Sequence, residues 1–168
     1  MSLSMYQASI PVFIRMLENL SAILTKGAAY AEARKIEPSV LLNDRLAPDM
    51  FPLTRQVQIA TDIVKGGAAR LSGTEIPSFP DTEKTFPELQ ARIAKIIDYL
   101  KSVDAKQIDG TEDKKISLKI GTYELNFTGQ SYLLNFVIPN LFFHITTAYG
   151  ILRHNGLDIG KQDFLGSM

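Results

Sequence analysis

The chain has 168 residues, of which 45% are hydrophobic and 21% are charged, a composition typical of a globular rather than a disordered protein. Eighteen Lys and Arg residues balance eighteen Asp and Glu residues, so no broad basic field favours nucleic-acid binding. The chain has no cysteine, which excludes disulfides, thiolate metal sites and cysteine nucleophiles. We expect one domain over residues 1–168.

No segment of the sequence is typical of export or membrane insertion. The most apolar run, residues 133–143, is far shorter than the roughly 20 residues of a membrane-spanning helix. The N-terminus lacks the basic region and clean apolar core of a signal peptide. We therefore expect a cytoplasmic protein that does not engage a membrane.

Two long helices are predicted in the first half of the chain. Apolar residues recur at three- and four-residue spacing over residues 4–34, where Pro11 must lie near the first turn or mark a bend. Pro38 and Pro48 break up residues 36–52, which we expect to be an ordered connection with one helical turn. The second helix covers residues 53–71, and Gly73 is its predicted terminator. Gly66 and Gly67 lie within its pattern, where small residues favour close helix packing.

A proline-containing linker, residues 76–82, separates the second helix from the third. Thr85 and Glu88 have the spacing of a capping box, in which each side chain hydrogen-bonds the other residue's backbone amide. An apolar stripe with helical spacing follows as far as residue 103. This is the best-specified helix of the sequence.

The next segment, residues 115–128, alternates apolar and polar residues with a period of two, which predicts a β-hairpin. A two-residue turn at Gly121 places Ile120 opposite Tyr123 and Lys119 opposite Glu124. The apolar side chains then share one face. Because an isolated hairpin is marginally stable in water, this face must pack on the helices or on a partner subunit.

The last predicted helix covers residues 131–155 and is apolar on almost every side, which indicates a buried helix with a kink at Pro139. Together the four helices predict an all-α, up-and-down four-helix bundle with a small β-hairpin inserted before the last helix.

Metal binding depends on two histidines. His144 and His154 lie ten residues apart on one predicted helix, which separates them by about 15 Å along the axis, so they cannot share an ion. The sequence contains no His-x-x-x-His or Glu-x-x-His pair. We predict no cofactor, with a divalent ion held by His144 and oxygen ligands from other helices as the alternative.

Five polar residues are candidates for a pocket inside the bundle. His144 shares a face of the last helix with Asn140, and Gln56 lies in the apolar stripe of the second helix. Tyr149 and Arg153, four residues apart, present a phenol and a guanidinium. Four of these residues also have a structural interpretation. His144 is then a core histidine with hydrogen-bonded neighbours, and Gln56 is a buried structural amide. Tyr149 packs in the core, and Arg153 is a cation at the negative end of the helix dipole.

Several motifs resemble a family of uncharacterised bacterial proteins known as a domain of unknown function and allied to the DinB-like four-helix-bundle superfamily. The resemblance lies in Arg45–Leu53 followed by Gln56, in Phe143–Gly156, in Met5–Phe13 and in Lys161–Leu165. It therefore extends over essentially the whole chain.

This resemblance implies an up-and-down bundle and a homodimer. In metal-binding members of the superfamily three histidines hold a divalent ion, two of them as a His-x-x-x-His pair, and some members act as thiol-dependent transferases. His144 corresponds to the first histidine of that pair, but Ala148 stands at the fourth residue after it, and the first three helices contain no histidine. The three-histidine site is absent.

Three hypotheses about function follow. The preferred one is a non-metal, DinB-like helical bundle that binds a small ligand or a partner through the buried polar pocket, without being an enzyme. The second is a degenerate transferase or hydrolase, metal-dependent or metal-free, centred on His144. The third is a structural dimerisation module.

Overall fold

Amphipathic segments form four long helices and one hairpin in the computed structural model, which describes residues 3–167. In chain order the elements are α1 (Ile10–Arg34), α2 (Pro38–Leu42), α3 (Leu53–Ser72), α4 (Phe86–Lys101), α5 (Ala105–Ile108), β1 (Lys115–Ile120), β2 (Tyr123–Thr128), α6 (Gly129–Tyr132), a π-helical turn (Leu133–Val137), α7 (Ile138–His154) and α8 (Lys161–Leu165). The mostly helical fold with a hairpin before the last long helix is therefore confirmed.

The four long helices enclose one hydrophobic core. α3 packs against α7 and α4, and α1 packs against the same two helices. The short α8 packs against α1, which brings the C-terminal segment back onto the first helix. No helix formed by residues 3–167 combines the length and apolarity needed to cross a membrane.

The helix ends follow local sequence signals. α1 begins at Ile10 rather than at residue 4, because Pro11 occupies its first turn, where a missing N–H costs no hydrogen bond. Gly73 ends α3 in the left-handed conformation with φ of 77°, as predicted. The capping box is confirmed: the Thr85 hydroxyl accepts from the Glu88 amide at 3.3 Å, and Glu88 accepts from the Thr85 amide at 3.0 Å.

The hairpin has the predicted register, with Ile120 paired with Tyr123 and Lys119 paired with Glu124. Its apolar face is covered unevenly. Ile116 and Leu118 are buried, whereas Ile120 is 49% exposed and Tyr123 is 75% exposed. The helices thus cover the base of the hairpin and leave its tip in solvent.

The last long helix differs from the prediction of burial on every side. A π-helical turn joins α6 to α7 without a break in the helical backbone, so Pro139 lies inside a continuous helical segment, two residues after this turn. Phe143 is 57% exposed and Leu134 is 46% exposed, so one side of this segment faces solvent. The apolar side chains of this segment therefore do not all lie in the core: some are buried there, and others are exposed at the surface.

Two adjacent glycines of α3 have different neighbours. A Cβ at Gly67 would lie 2.8 Å from a methyl carbon of Val137, so Gly67 permits the close approach of α3 to the π-helical turn. A Cβ at Gly66 would instead lie 2.5 Å from Nη1 of Arg70, whose guanidinium lies back along the helix. Glycine inside a helix costs about 0.5–1 kcal/mol relative to alanine. Helix packing accounts for Gly67, whereas a Cβ at Gly66 requires only the flexible end of the Arg70 side chain to move.

Candidate functional site

The structure brings His144 and Gln56 together. Gln56 lies in the first turns of α3, and His144 faces it from α7, with 2.7 Å between His144 Nδ1 and Gln56 Oε1. Gln56 Nε2 donates to the carbonyl of Phe51 at 2.9 Å, so the other amide atom, Oε1, is the acceptor for the histidine. His144 therefore carries its ring hydrogen on Nδ1, and Nε2 holds the lone pair.

The environment of His144 favours the neutral ring. Burial lowers the pKa of His144, and the positive charge of Arg55 lowers it further. A neutral imidazole with a free lone pair on Nε2 can accept a hydrogen bond or a proton. The pair of side chains is thus chemically suited to binding a donor or to acting as a base.

We expect the imidazole of His144 to titrate below the ordinary histidine value of about 6.5, because protonation is opposed by burial and by Arg55. The measurement is an NMR pH titration of the histidine ring signals, with a His154→Gln variant to assign the two residues. Since the folded-state pKa is lowered, the contribution of His144 to stability is complete above about pH 6.5 and is lost as the pH falls through the folded-state value.

The matched variant for this prediction is His144→Asn, which keeps a donor toward Gln56 and does not titrate. Its free energy of unfolding should depend less on pH below about 6.5 than that of the wild type. A His144 signal that titrates above 6.5, or an unchanged pH dependence in the variant, would contradict the prediction.

The other three predicted pocket residues hydrogen-bond elsewhere. Tyr149 donates to the carbonyl of Ile159 at 3.3 Å, and Arg153 donates to the carbonyl of Leu157 at 3.1 Å. Asn140 donates to the carbonyl of Phe136, one turn earlier on its own chain segment, at 2.7 Å. Tyr149 and Arg153 thus fasten the segment between α7 and α8, and Asn140 satisfies a local carbonyl.

The residues around His144 do not fit the three-histidine metal site of the DinB-like superfamily. Its direct hydrogen-bond partner is the amide of Gln56, and a neutral amide oxygen is a weak ligand compared with an imidazole or a carboxylate. Within residues 3–167, no three His, Cys, Asp or Glu side chains come together as a group that could hold a metal ion.

A second polar cluster, not predicted from the sequence, surrounds Arg92. This side chain lies on α4 and is 2% exposed. Its Nη2 contacts carboxylate oxygens of Asp62 and Asp81 at 2.9 Å each, and its Nη1 contacts Glu83 at 3.2 Å. Its Nε donates to the hydroxyl of Thr61 at 2.7 Å. The guanidinium is therefore saturated by α3 and by the segment before α4.

That segment, residues 74–85, is here named the α3–α4 strap. It carries Asp81 and Glu83, and further contacts attach it to α3: Arg55 pairs with Asp81, and Gln58 donates to Glu83 at 2.9 Å. Lys65 completes the network through Asp62 at 2.7 Å. Since cations and carboxylates are balanced, this cluster fastens the strap across α3 and α4 and leaves no free charge for a ligand.

A cleft of about 340 Å³ lies between α3 and the hairpin, and is here named the α3–hairpin cleft. Its apolar walls are formed by Ile59, Ile63, Leu118, Ile120 and Phe136. The polar residues that line it are Arg55, Asp62, Arg70, Ser117, Lys119 and Tyr132. Arg55 lines this cleft, and its positive charge also lowers the pKa of His144.

Comparison with known proteins places the chain in a family. The model of a domain of unknown function, DUF1993, matches residues 5–165. A crystal structure of a DinB family member protein from Shewanella denitrificans is 45% identical in sequence with a TM-score of 0.88, and the match covers 97% of this chain and 92% of that chain. A search of curated proteins found no match. The protein therefore belongs to the DUF1993 family, and it is similar in sequence and in structure to a DinB family member.

Proposed function

We propose that this protein is a DinB-type four-helix bundle that binds a small molecule in the α3–hairpin cleft. The packing of α1 and of α3 on the same two helices, α4 and α7, supports the bundle. The sequence predicted a ligand pocket around His144, whereas the proposed site lies between α3 and the hairpin, and His144 does not line it. His144 and Gln56 then hold α7 against the start of α3 beside one end of the cleft.

The observation that carries the proposal is the lining of the cleft. Its volume of about 340 Å³ is within the usual range of small-ligand sites, about 300–1,000 Å³. Five apolar side chains from α3, β1 and the π-helical turn form its walls, and six polar residues from α3, α6 and β1 also line it. A concave site that combines apolar walls with convergent polar groups is typical of small-molecule binding, because burial provides affinity and the polar groups orient the ligand.

Isotope-edited NMR tests this proposal with three probes of one length: hexanol, hexanoate and hexylamine. We expect saturable changes in the amide signals of Ile63, Leu118 and Phe136 with at least one of the probes, because each presents an apolar chain that fits the walls of the cleft. An Ile63→Trp variant fills the cleft and should abolish these changes.

The matched control is Val40→Trp, which adds the same ring at an exposed position of α2 outside the lining of the cleft. It should leave binding unchanged. If Ile63→Trp fails to fold, Ile59→Phe fills the same cleft with a smaller ring. The proposal is wrong if no probe gives saturable changes at the cleft, or if the cleft-filling variants bind as the wild type does.

A further inference from the structure

Arg70 of α3 stands out among the cations of its helix. Arg55 pairs with Asp81, and Lys65 pairs with Asp62. None of the ion pairs formed by residues 3–167 includes Arg70. Arg70 is half-buried where it lines the α3–hairpin cleft. A half-buried guanidinium without a carboxylate partner is a site of unmatched positive charge.

The other charges of the cleft do not neutralise Arg70. Asp62 is the one carboxylate among the lining residues named above, and it is already shared by Lys65 at 2.7 Å and Arg92 at 2.9 Å. Lys119 adds a further cation at the exposed rim. The cleft therefore combines apolar walls with a net positive charge.

The guanidinium of Arg70 is held in place rather than extended into solvent. Its Nη1 lies over the backbone of Gly66, where a Cβ would come within 2.5 Å of it. The same nitrogen donates to the hydroxyl of Tyr132 at 3.2 Å. Gly66 thus forms the floor of a cradle for the guanidinium, and Tyr132 forms one side of it.

Tyr132 contributes a second donor. Its side chain is 1% exposed, and burial raises its pKa, so the phenol keeps its hydrogen at neutral pH. Because the phenol oxygen accepts from Arg70, the phenol hydrogen points away from this bond and is free to donate. An acid group in the cleft can therefore accept hydrogen bonds from the charged guanidinium of Arg70 and from the neutral phenol of Tyr132.

We infer that the ligand of the α3–hairpin cleft is an amphipathic organic anion, whose acid group binds Arg70 and Tyr132 and whose apolar part packs on Ile63, Leu118 and Phe136. The inference rests on the proposed function, because it names the chemical class of the ligand for that same cleft. A charged donor favours an anionic acceptor over a neutral hydroxyl, and an ammonium group would be repelled.

The probes named above test the inference by their relative affinities. We expect hexanoate to bind at least about tenfold more tightly than hexanol, since its carboxylate gains charge-assisted hydrogen bonds. Hexylamine should bind more weakly than hexanol. The preference for hexanoate should shrink as salt is added, because added ions screen the attraction.

Two variants locate the anion. Arg70→Gln should remove the preference for hexanoate and leave the affinity for hexanol within about threefold. Gly66→Ala keeps Arg70 in the sequence and displaces its guanidinium from the cradle, so it should lower the affinity for hexanoate about tenfold. Lys115→Gln is the matched control, because it removes an exposed cation of the same strand, β1, that does not line the cleft, and it should change the affinity for hexanoate by less than about threefold.

The outcomes separate the two proposals. If no probe binds at the cleft, both fail. If hexanol binds as tightly as hexanoate, the inference is wrong and the proposed function stands. Arg70 also lines a neighbouring cleft with Ile76 and Phe79. Hexanoate-induced changes confined to those two residues, or an equal loss of affinity in Lys115→Gln and Arg70→Gln, would also overturn the inference.

Discussion

Replacing Arg92 with methionine is expected to lower the free energy of unfolding by about 3–5 kcal/mol, the range typical of removing one partner from a buried ion pair. The side chain of Arg92 is 2% exposed and contacts three carboxylates. Methionine fills a similar volume without a charge. The loss of stability therefore measures the cost of leaving the three carboxylates without the cation that they share. Urea-induced unfolding followed by circular dichroism measures it.

The carboxylates at the Arg92 cluster have different alternatives once the guanidinium is removed. Asp62 keeps Lys65 at 2.7 Å, and Asp81 keeps Arg55. Glu83, with its side chain 12% exposed, keeps the neutral amide of Gln58. Glu83 therefore carries the largest share of the expected penalty, and a Glu83→Gln substitution added to Arg92→Met should restore part of the lost stability.

The strap should also be released. Arg92 donates to the carbonyl of Pro80, so the Arg92→Met variant loses a direct contact with the strap backbone as well as both of its carboxylates. Amide hydrogen exchange over residues 74–85 should become faster than in the wild type. Arg92→Lys keeps the charge but not the planar donor fork, and its loss of stability should be smaller.

The matched control for Arg92 is Lys95→Met, on the same helix. Lys95 is exposed and takes part in none of the ion pairs of the described chain, so its removal should change stability by no more than about 0.5 kcal/mol. Equal stabilities of Arg92→Met and Lys95→Met would show that the cluster contributes nothing to folding.

Local signals predicted the secondary structure well because each depends on a few adjacent residues. The hairpin register follows from a two-residue turn and a period of two, and the capping box depends on Thr85 and Glu88 alone. The start of α1 was less well predicted, since apolar spacing continues through Tyr6 while the helix begins at Ile10. Periodicity marks which face is apolar and does not mark where the backbone becomes helical.

The Arg92 cluster illustrates what a helical wheel omits. Asp62 shares a face with Arg55 and Lys65, which predicts a solvated surface, but the strap folds back over that face. Lys65 is left only 8% exposed, and Asp62 and Arg55 are covered in part, with 34% and 38% of their side chains exposed. The sequence did contain one signal: Arg92 lies between Leu89 and Ile96 in the apolar stripe of α4. A charge inside an apolar stripe indicates a buried ion pair, but its partners depend on how a proline-containing segment folds.

The candidate site was predictable only in part. Gln56 and His144 occupy the apolar faces of two helices that pack together, and they meet. Tyr149 and Arg153 lie on a similar face, but their side chains reach the segment after α7, whose path no periodicity describes. Arg70 resembles an ordinary cation in the last turns of a helix. Its importance depends on Gly66 and Tyr132, which lie four residues and sixty-two residues away in the sequence.

Gly129 controls how the hairpin joins the helices, and Gly129→Ala is expected to destabilise the protein by about 3 kcal/mol, at the upper end of typical overpacking effects. A Cβ at this position would overlap the carbonyl oxygen of Thr111 and lie 3.0 Å from its carbonyl carbon. These are backbone atoms, so no side-chain rotation relieves the overlap. The loop must move, which would break the hydrogen bond from the Gln130 amide to the Glu112 carbonyl at 2.9 Å.

This displacement should reach the α3–hairpin cleft, because β1 forms one of its walls and starts at Lys115, close after that loop. Amide signals of Leu118 and Ile120 should therefore shift in Gly129→Ala along with the loss of stability measured in urea. Gly160→Ala is the matched control: its Cβ meets nothing within 4 Å and its φ is −130°. Because the entropic gain of alanine is opposed by its poor fit at the N-cap of α8, the stability should change by no more than about 0.5 kcal/mol. Wild-type stability in Gly129→Ala would mean that the loop adapts freely, and the hairpin would then lack the fixed base that a preformed cleft requires.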